Sequence, residues 1–325
     1  MENLSSICNE EGLLVGIGNP LLDISAIVDE ELLKKYDMKP DDAIMAEEKH
    51  MPLYREIMDK ADGVTVKYQI TDEVPTGTCA VLVTGTHRSL CANLSAAQKF
   101  TPDHLAKEDC RKAIEAARFF YASGFFVAVS PESILQLATH AHANGHMFIM
   151  NLSALFVSQF YKEPLAKILP YVDVLFGNES EAEAFAKAFD IDGAGLKDIA
   201  VKMAALPKLD SAKPRVVVIT QGCDPVILVE DGKVTLIPVT KLSREQIVDT
   251  NGAGDAFAGG FLSQMVLGQS YDTCVKCGIY SATHVIQHSG CTFRGVLHNK
   301  DIIIDLCVYA LLHQLILKSY EILKL

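Results

Sequence analysis

The sequence predicts an α/β protein built on a mostly parallel central sheet with helices on both faces, a three-layer α/β/α arrangement. From Arg118 onward, Phe119-Phe120-Tyr121-Ala122, His146 to Met150, Val172 to Phe176 and Arg215 to Thr220 are short apolar runs separated by helical patterns. Near-continuous apolar strands alternating with helices imply a parallel sheet, because strands buried on both faces carry few polar positions. Residues 249–257 then pass from a two-glycine turn into Ala256, Phe257, Phe261, Leu262 and Met265 at roughly helical spacing, so a tight turn opens into a buried helix. A composition 49% apolar over 325 residues is ample for such a core.

At the amino end, Leu13 to Gly18 reads as a buried strand and Ile24 to Val28 as a second, with Asn19-Pro20-Leu21-Leu22-Asp23 between them. Gly16-x-Gly18 has part of a dinucleotide fingerprint, but Leu21 stands where the third glycine belongs and no helix follows directly. Asp29 to Tyr36 and Glu47 to Lys60 carry helical patterns, and Val64 to Ile70 alternates like a strand. Pro75 to Ala80, Val81 to Thr84 and Arg88 to Leu94 supply further strand segments. Ser130-Pro131 marks a helix start, with serine as cap and proline in the first turn. Pro225 to Val229 and Lys233 to Pro238 form a hairpin around Glu230-Asp231-Gly232. A helix from Tyr271 to about His288 follows the one that opens near Ala256.

The 41 acidic and 29 basic residues give a formal net charge of -12, which argues against a nucleic-acid or anionic-membrane surface. Any phosphate must be met by backbone amides, a metal and a few local cations. Met1-Glu2-Asn3-Leu4-Ser5 has neither a basic region nor an apolar leader core, which predicts a cytoplasmic protein, a nuclear location left open. Nine cysteines, an odd number, fit reduced thiols better than a disulfide framework. Cys274, Cys277, His284 and His288 superficially form a zinc set, but one helix spreads them over roughly 21 Å, too far to converge on one ion. Buried structural thiols are expected instead. Ile302 to Leu317 is apolar but interrupted by Asp305, His313 and Gln314, so no membrane span is expected.

The junction at 249–257 has the chemistry of an anion site. Glycine lets the backbone turn its amides toward a ligand, and a helix's first turn offers unpaired donors and the positive end of its dipole. Asp255 lies in that first turn, where a carboxylate can orient or deprotonate an attacking hydroxyl. The plain alternative is an ordinary loop in which Asp255 favours the dipole. Gly259 and Gly260, inside the helix, cost about 1 kcal/mol each relative to alanine, which points to tight packing or a close ligand.

Asp249-Thr250-Asn251-Gly252-Ala253-Gly254-Asp255-Ala256-Phe257, followed by Gly-Gly-Phe-Leu, resembles the carboxy-terminal signature of the ribokinase-like family of sugar and nucleoside kinases. Within that family the chain is most similar to the adenosine kinases, from Gly12 to about Phe293. The resemblance implies transfer of the ATP γ-phosphate to the 5′-hydroxyl of adenosine, with Mg²⁺, in a ribokinase-like monomer. Its kinase domain would span 12–293, with a small β lid at about 20–28 and 64–95. It implies that Asp255 takes the hydroxyl proton while the Gly252, Ala253 and Gly254 amides and Arg88 stabilise the transferring phosphoryl group. Asn19 and Asp23 would hold the ribose, Cys79 and Leu90 would line the nucleoside pocket, and Phe156 would stack on the purine. Asn178, Thr220 and Gly222 would serve the nucleotide, and Asn178 with Glu181 would place Mg²⁺ through water. Read from pattern alone, Asn19 to Asp23 is equally an Asx-type turn, Arg88 a solvated surface residue, Phe156 core, and Asn178-x-x-Glu181 a helix cap.

The chain departs from the family twice. Ribokinase-like kinases carry a strand ending in a Gly-Gly hinge, a covering helix and further strand and helix where this chain runs from Met58-Asp59-Lys60 through Ala61-Asp62-Gly63 straight to Val64. Its one Gly-Gly pair is Gly259-Gly260. A deletion near 59–64 that removes strands from inside the sheet is expected to cost on the order of 10 kcal/mol. Residues 294–325 form an apolar tail outside the family pattern. A kinase for another nucleoside or a sugar, a catalytically silent binder and a misfolded variant stand as alternatives.

Overall fold

The structure, a computed structural model, describes residues 13–18, 22–27, 29–39, 43–45, 49, 74, 77–84 and 87–288. The chain opens with β1 (Leu14–Ile17) and then builds a separate small sheet from β2 (Leu22–Ile27), β3 (Ala43–Met45), β4 (Thr78–Thr84) and β5 (His87–Asn93). That sheet is ordered β2-β4-β5-β3. Helix α1 (Glu30–Lys35) follows β2 and is capped by Asp29, whose Oδ1 accepts the Leu32 amide at 3.0 Å.

The main sheet adds β6 (Phe119–Ala122), β7 (Met147–Asn151), β8 (Val174–Asn178), β9 (Val216–Gln221), β10 (Asp224–Glu230) and β11 (Lys233–Ile237) to β1. Its order is β1-β6-β7-β8-β9-β10-β11, parallel from β1 to β9 and antiparallel through the closing hairpin. Asp231 and Gly232 turn that hairpin at φ 49° and 72°, the left-handed pair that matches strand twist. Helix α2 (Glu108–Ala116) leads into β6, and α3 (Pro131–Ala143) joins β6 to β7. Helices α4 (Leu155–Phe160) and α5 (Lys162–Ile168) precede β8, α6 (Glu179–Ala188) and α7 (Leu196–Ala204) precede β9, and α8 (Ala253–Val266) and α9 (Tyr271–Val285) follow β11.

Strand alternation divides the core into two layers. Leu175, Val217 and Ile219 face Ile134, Leu137, Val157, Leu165, Phe185 and Met203 from α3 to α7. Their neighbours Val174, Phe176, Val216 and Val218 face Phe257, Phe261, Leu262 and Val275 from α8 and α9. This is the expected three-layer arrangement.

Two contacts fix the layers. At the amino end of β9, Arg215 is 1% exposed and spends its five donors on carbonyls. Nε reaches Val172, Nη1 reaches Met203 and Leu206, and Nη2 reaches Leu169 and Pro207, at 2.6–3.2 Å. These carbonyls lie in the last turn of α7 and in the segments just after α5 and α7, gathered by one cation. On the other face, α8 and α9 touch backbone to backbone. A Cβ on Gly260 would lie 2.7 Å from the Cys277 carbonyl, and one on Gly278 would lie 2.8 Å from the Phe257 carbonyl. Close packing is therefore the reason for Gly260 inside a helix. Cys274 and Cys277 lie buried in α9, and burial pushes their thiols up to about 12 and about 11.

Several elements differ from expectation. Strand β3 was not expected, and the two segments around Thr78–Thr84 are one strand. Ser130 occupies the cap position of α3, but its hydroxyl pairs with Ser133 Oγ at 2.7 Å instead of a backbone amide. The seven described strands of the main sheet are contiguous. The helix at Glu47–Lys60, the strand at Val64–Ile70, the 59–64 junction and the 294–325 tail lie outside the described residues. Among the described residues, no helix is long and apolar enough to cross a membrane.

Candidate active site

Two of the polar residues that the sequence singles out lie at the carboxyl ends of β8 and β9, where an open α/β sheet is expected to bind ligands. Asn178 and Thr220 are side by side, the last register pair of β8 and β9. Gly222 follows in a left-handed turn at φ 56°.

Asn178 is also the N-cap of α6, and the capping box is complete. Its Oδ1 accepts the Glu181 amide at 2.8 Å, and Glu181 Oε2 accepts the Asn178 amide at 3.0 Å. Asn178 Nδ2 donates to Glu181 Oε1 at 2.9 Å. Glu181 is 9% exposed, and burial, opposed by the Asn178 amide and reinforced by Glu179 and Asp255, raises its carboxyl to about 7. The cap reading therefore holds, and it leaves a buried carboxylate held away from its ordinary ionisation beside a second one.

The second carboxylate is Asp255, exposed in the first turn of α8. Gly252 caps that helix at φ 72°, the left-handed region where a side chain is strained. Asp249, 7% exposed, accepts the Asn251 amide at 2.7 Å on Oδ1, and the Val248 and Asp249 amides both reach Ile286 O behind α9. The turn is thus tied at both ends before the helix begins. Of the three amides expected to meet a phosphate, that of Ala253 donates to Thr250 O at 3.3 Å. Phe176 meets Phe261 and Phe257 edge to face at 4.9 and 6.2 Å, seating α8 on β8.

Sequence reasoning missed Tyr121. It is half-buried on the face below α8, and burial, then Asp255, then Glu181, push its phenol well above its ordinary range. The available signal was one hydroxyl at the carboxyl end of an apolar strand.

In the small sheet, Asp23 and Cys79 are register partners across β2 and β4, and Cys79 is buried. Arg88 pairs with Val83, and Leu90 with Val81 and Ala43, by backbone register. Asn19 lies outside the described residues. Phe156, in α4, is half-buried and lies 6.0 Å from the Phe125 ring and 6.4 Å from Tyr161.

Residues 55–297 match the model of the pfkB family carbohydrate kinases. Adenosine kinase 2 of Arabidopsis thaliana is 44% identical over 338 residues, covering 89% of this chain and 98% of its own. That share of 325 residues is about 289, so about 49 of the 338 aligned positions have no residue here. A crystal structure of Anopheles gambiae adenosine kinase in complex with P1,P4-di(adenosine-5) tetraphosphate superposes with a TM-score of 0.83. It is 50% identical, covering 88% of this chain and 98% of its own. Adenosine kinase from Schistosoma mansoni in complex with 2-fluoroadenosine superposes at 0.82 with 31% identity, over 88% and 98% of the two chains.

Proposed function

Because the chain belongs to the pfkB family of carbohydrate kinases, we propose that it transfers the ATP γ-phosphate to the 5′-hydroxyl of adenosine. The observation that carries this reading is Asp255 in the first turn of α8, just after the left-handed Gly252, with its charge felt by Glu181 in the helix that follows β8.

In this reading Asp255 orients the hydroxyl and receives its proton late, since an ordinary carboxylate is a weak base for a free alcohol. The amides of Gly252 and Gly254 and the guanidinium of Arg88 meet charge on the transferring oxygens, with that of Ala253 joining them only if it leaves Thr250 O. Asn19 and Asp23 hold the ribose, while Cys79, Leu90 and Phe156 bound the base. Thr220 and Gly222 contact the nucleotide. The donor set suits Mg²⁺. Glu181 is a hard oxygen ligand pushed toward neutrality by burial and a neighbouring carboxylate, which a cation would reverse. Both its oxygens already accept from Asn178, so Asn178 and Glu181 would hold the ion through retained water. When bound, Mg²⁺ supplies charge neutralisation at the phosphates.

The kinase domain is read as 12–293, and the roughly 49 unmatched positions as the Gly-Gly module removed near 59–64. The test is turnover with adenosine, ATP and Mg²⁺ in the full chain and in Asp255→Asn. The variant is expected to lose at least about 100-fold in kcat with adenosine affinity nearly kept, the scale of a lost acid–base group. Equal turnover in the two proteins would remove Asp255 from the mechanism.

A further inference from the structure

The loops that leave β6 and β7 are joined through one oxygen. Asn151 Oδ1 accepts the Gly124 amide at 2.8 Å and the Ser153 hydroxyl at 2.7 Å. Ser153 Oγ also lies 3.4 Å from Ser123 Oγ, and the Ser123 amide donates to Ile17 O, which carries the connection to β1. Two observations mark the junction as more than a chance contact. Ser153 sits at φ 65°, a left-handed conformation that a side chain disfavours and that its own hydrogen bond to Asn151 holds in place. Gly124 approaches so closely that a Cβ there would lie 2.4 Å from the Asn151 carbonyl. Each loop presents an aromatic ring directly afterwards, Phe125 from one and Phe156 from the other, 6.0 Å apart with planes inclined at 40° and both half-buried.

We propose that Asn151 is a positioning residue for the base of the nucleoside, its Oδ1 clamping the two loops so that Phe125 and Phe156 form one rigid aromatic wall. The inference rests on the adenosine reading above and assigns to that site what sets its grip on a planar purine. Asn151 acts through the rings. Slackening the clamp lets them separate, so binding of the base weakens while the nucleotide end, built on β8, β9 and α8, is untouched.

The experiment compares Asn151→Ala, Asn151→Asp, Ser153→Ala and Ser153→Gly in the full chain, measuring melting and KM for adenosine, uridine and ATP. Asn151→Ala is expected to raise KM for adenosine about tenfold, the scale of one or two lost hydrogen bonds, with KM for ATP constant and the preference for adenosine over uridine reduced. Asn151→Asp, which can still accept both bonds, restores most of that loss. Ser153→Gly, relaxed at positive φ, outperforms Ser153→Ala, which keeps the strain without the hydroxyl; this order decides the question if Asn151→Ala does not fold. The clamp is overturned if folded Asn151→Ala matches the parent for adenosine, if KM for ATP rises equally, or if the two Ser153 variants rank the other way. A parent that neither binds nor phosphorylates adenosine overturns the adenosine reading and the clamp with it. A working parent with an indifferent Asn151→Ala overturns the clamp alone.

Discussion

Glu181 is a scaffold residue to which the proposed reading also gives a place in the site. Its capping-box bonds hold α6, yet its carboxyl is raised to about 7, above the ordinary 4.5 it regains on unfolding. Between those values the native state binds more protons than the unfolded one. Stability should therefore fall as pH rises from about 4.5 to about 7 and level off above, the reverse of a salt-bridged carboxylate. Thermal unfolding from pH 5 to 8 is expected to show this slope, and Glu181→Gln to flatten it. Mg²⁺ should reduce the fall by favouring the ionised form; an identical slope in Glu181→Gln would mean that other groups set it. The Asn178-x-x-Glu181 spacing made the capping pair legible in the sequence, because a helix cap follows from residue type and interval. Tyr121 and Arg215 were not legible. Each lies in or beside an apolar strand run, and only the packing of distant elements reveals what its polar end meets.

At the scale of elements, the long strands with apolar residues on both faces were read to within a residue or two, because burial on both sides writes itself into every position. The three apolar residues of β3 are too short a run to announce a strand. Its pairing with β5 is a property of the small sheet, visible only after folding. The α8–α9 pair was half legible: two glycines in a helix announced a close approach, but not to what. Gly260→Ala tests the answer. Alanine would gain about 1 kcal/mol of helix propensity, but its methyl meets a backbone carbonyl that cannot rotate away, and overpacking of this kind costs about 1–3 kcal/mol. A net loss of stability in urea unfolding is expected. A stabilised Gly260→Ala would mean that the two helices separate easily.

For the whole molecule, the question is whether a sheet that ends at β1 among the described strands still assembles the lid and the phosphate turn around one ligand. Ligand-dependent melting answers it. A ligand that binds only the native state at about 100 times its Kd adds about 2.7 kcal/mol. Adenosine and an ATP analogue with Mg²⁺ are each expected to raise a cooperative melting transition. A transition indifferent to adenosine would separate the intact α/β core from a working nucleoside site. With no side chain at Gly260 or Gly278 to hold the backbones apart, α8 cannot loosen without α9, so their amide protons should exchange with solvent together and slowly. The strands of the small sheet, outside that contact, should exchange earlier. Asp255 would then be mounted on the last part of the protein to open, leaving the motions that admit and release ligands to the small sheet.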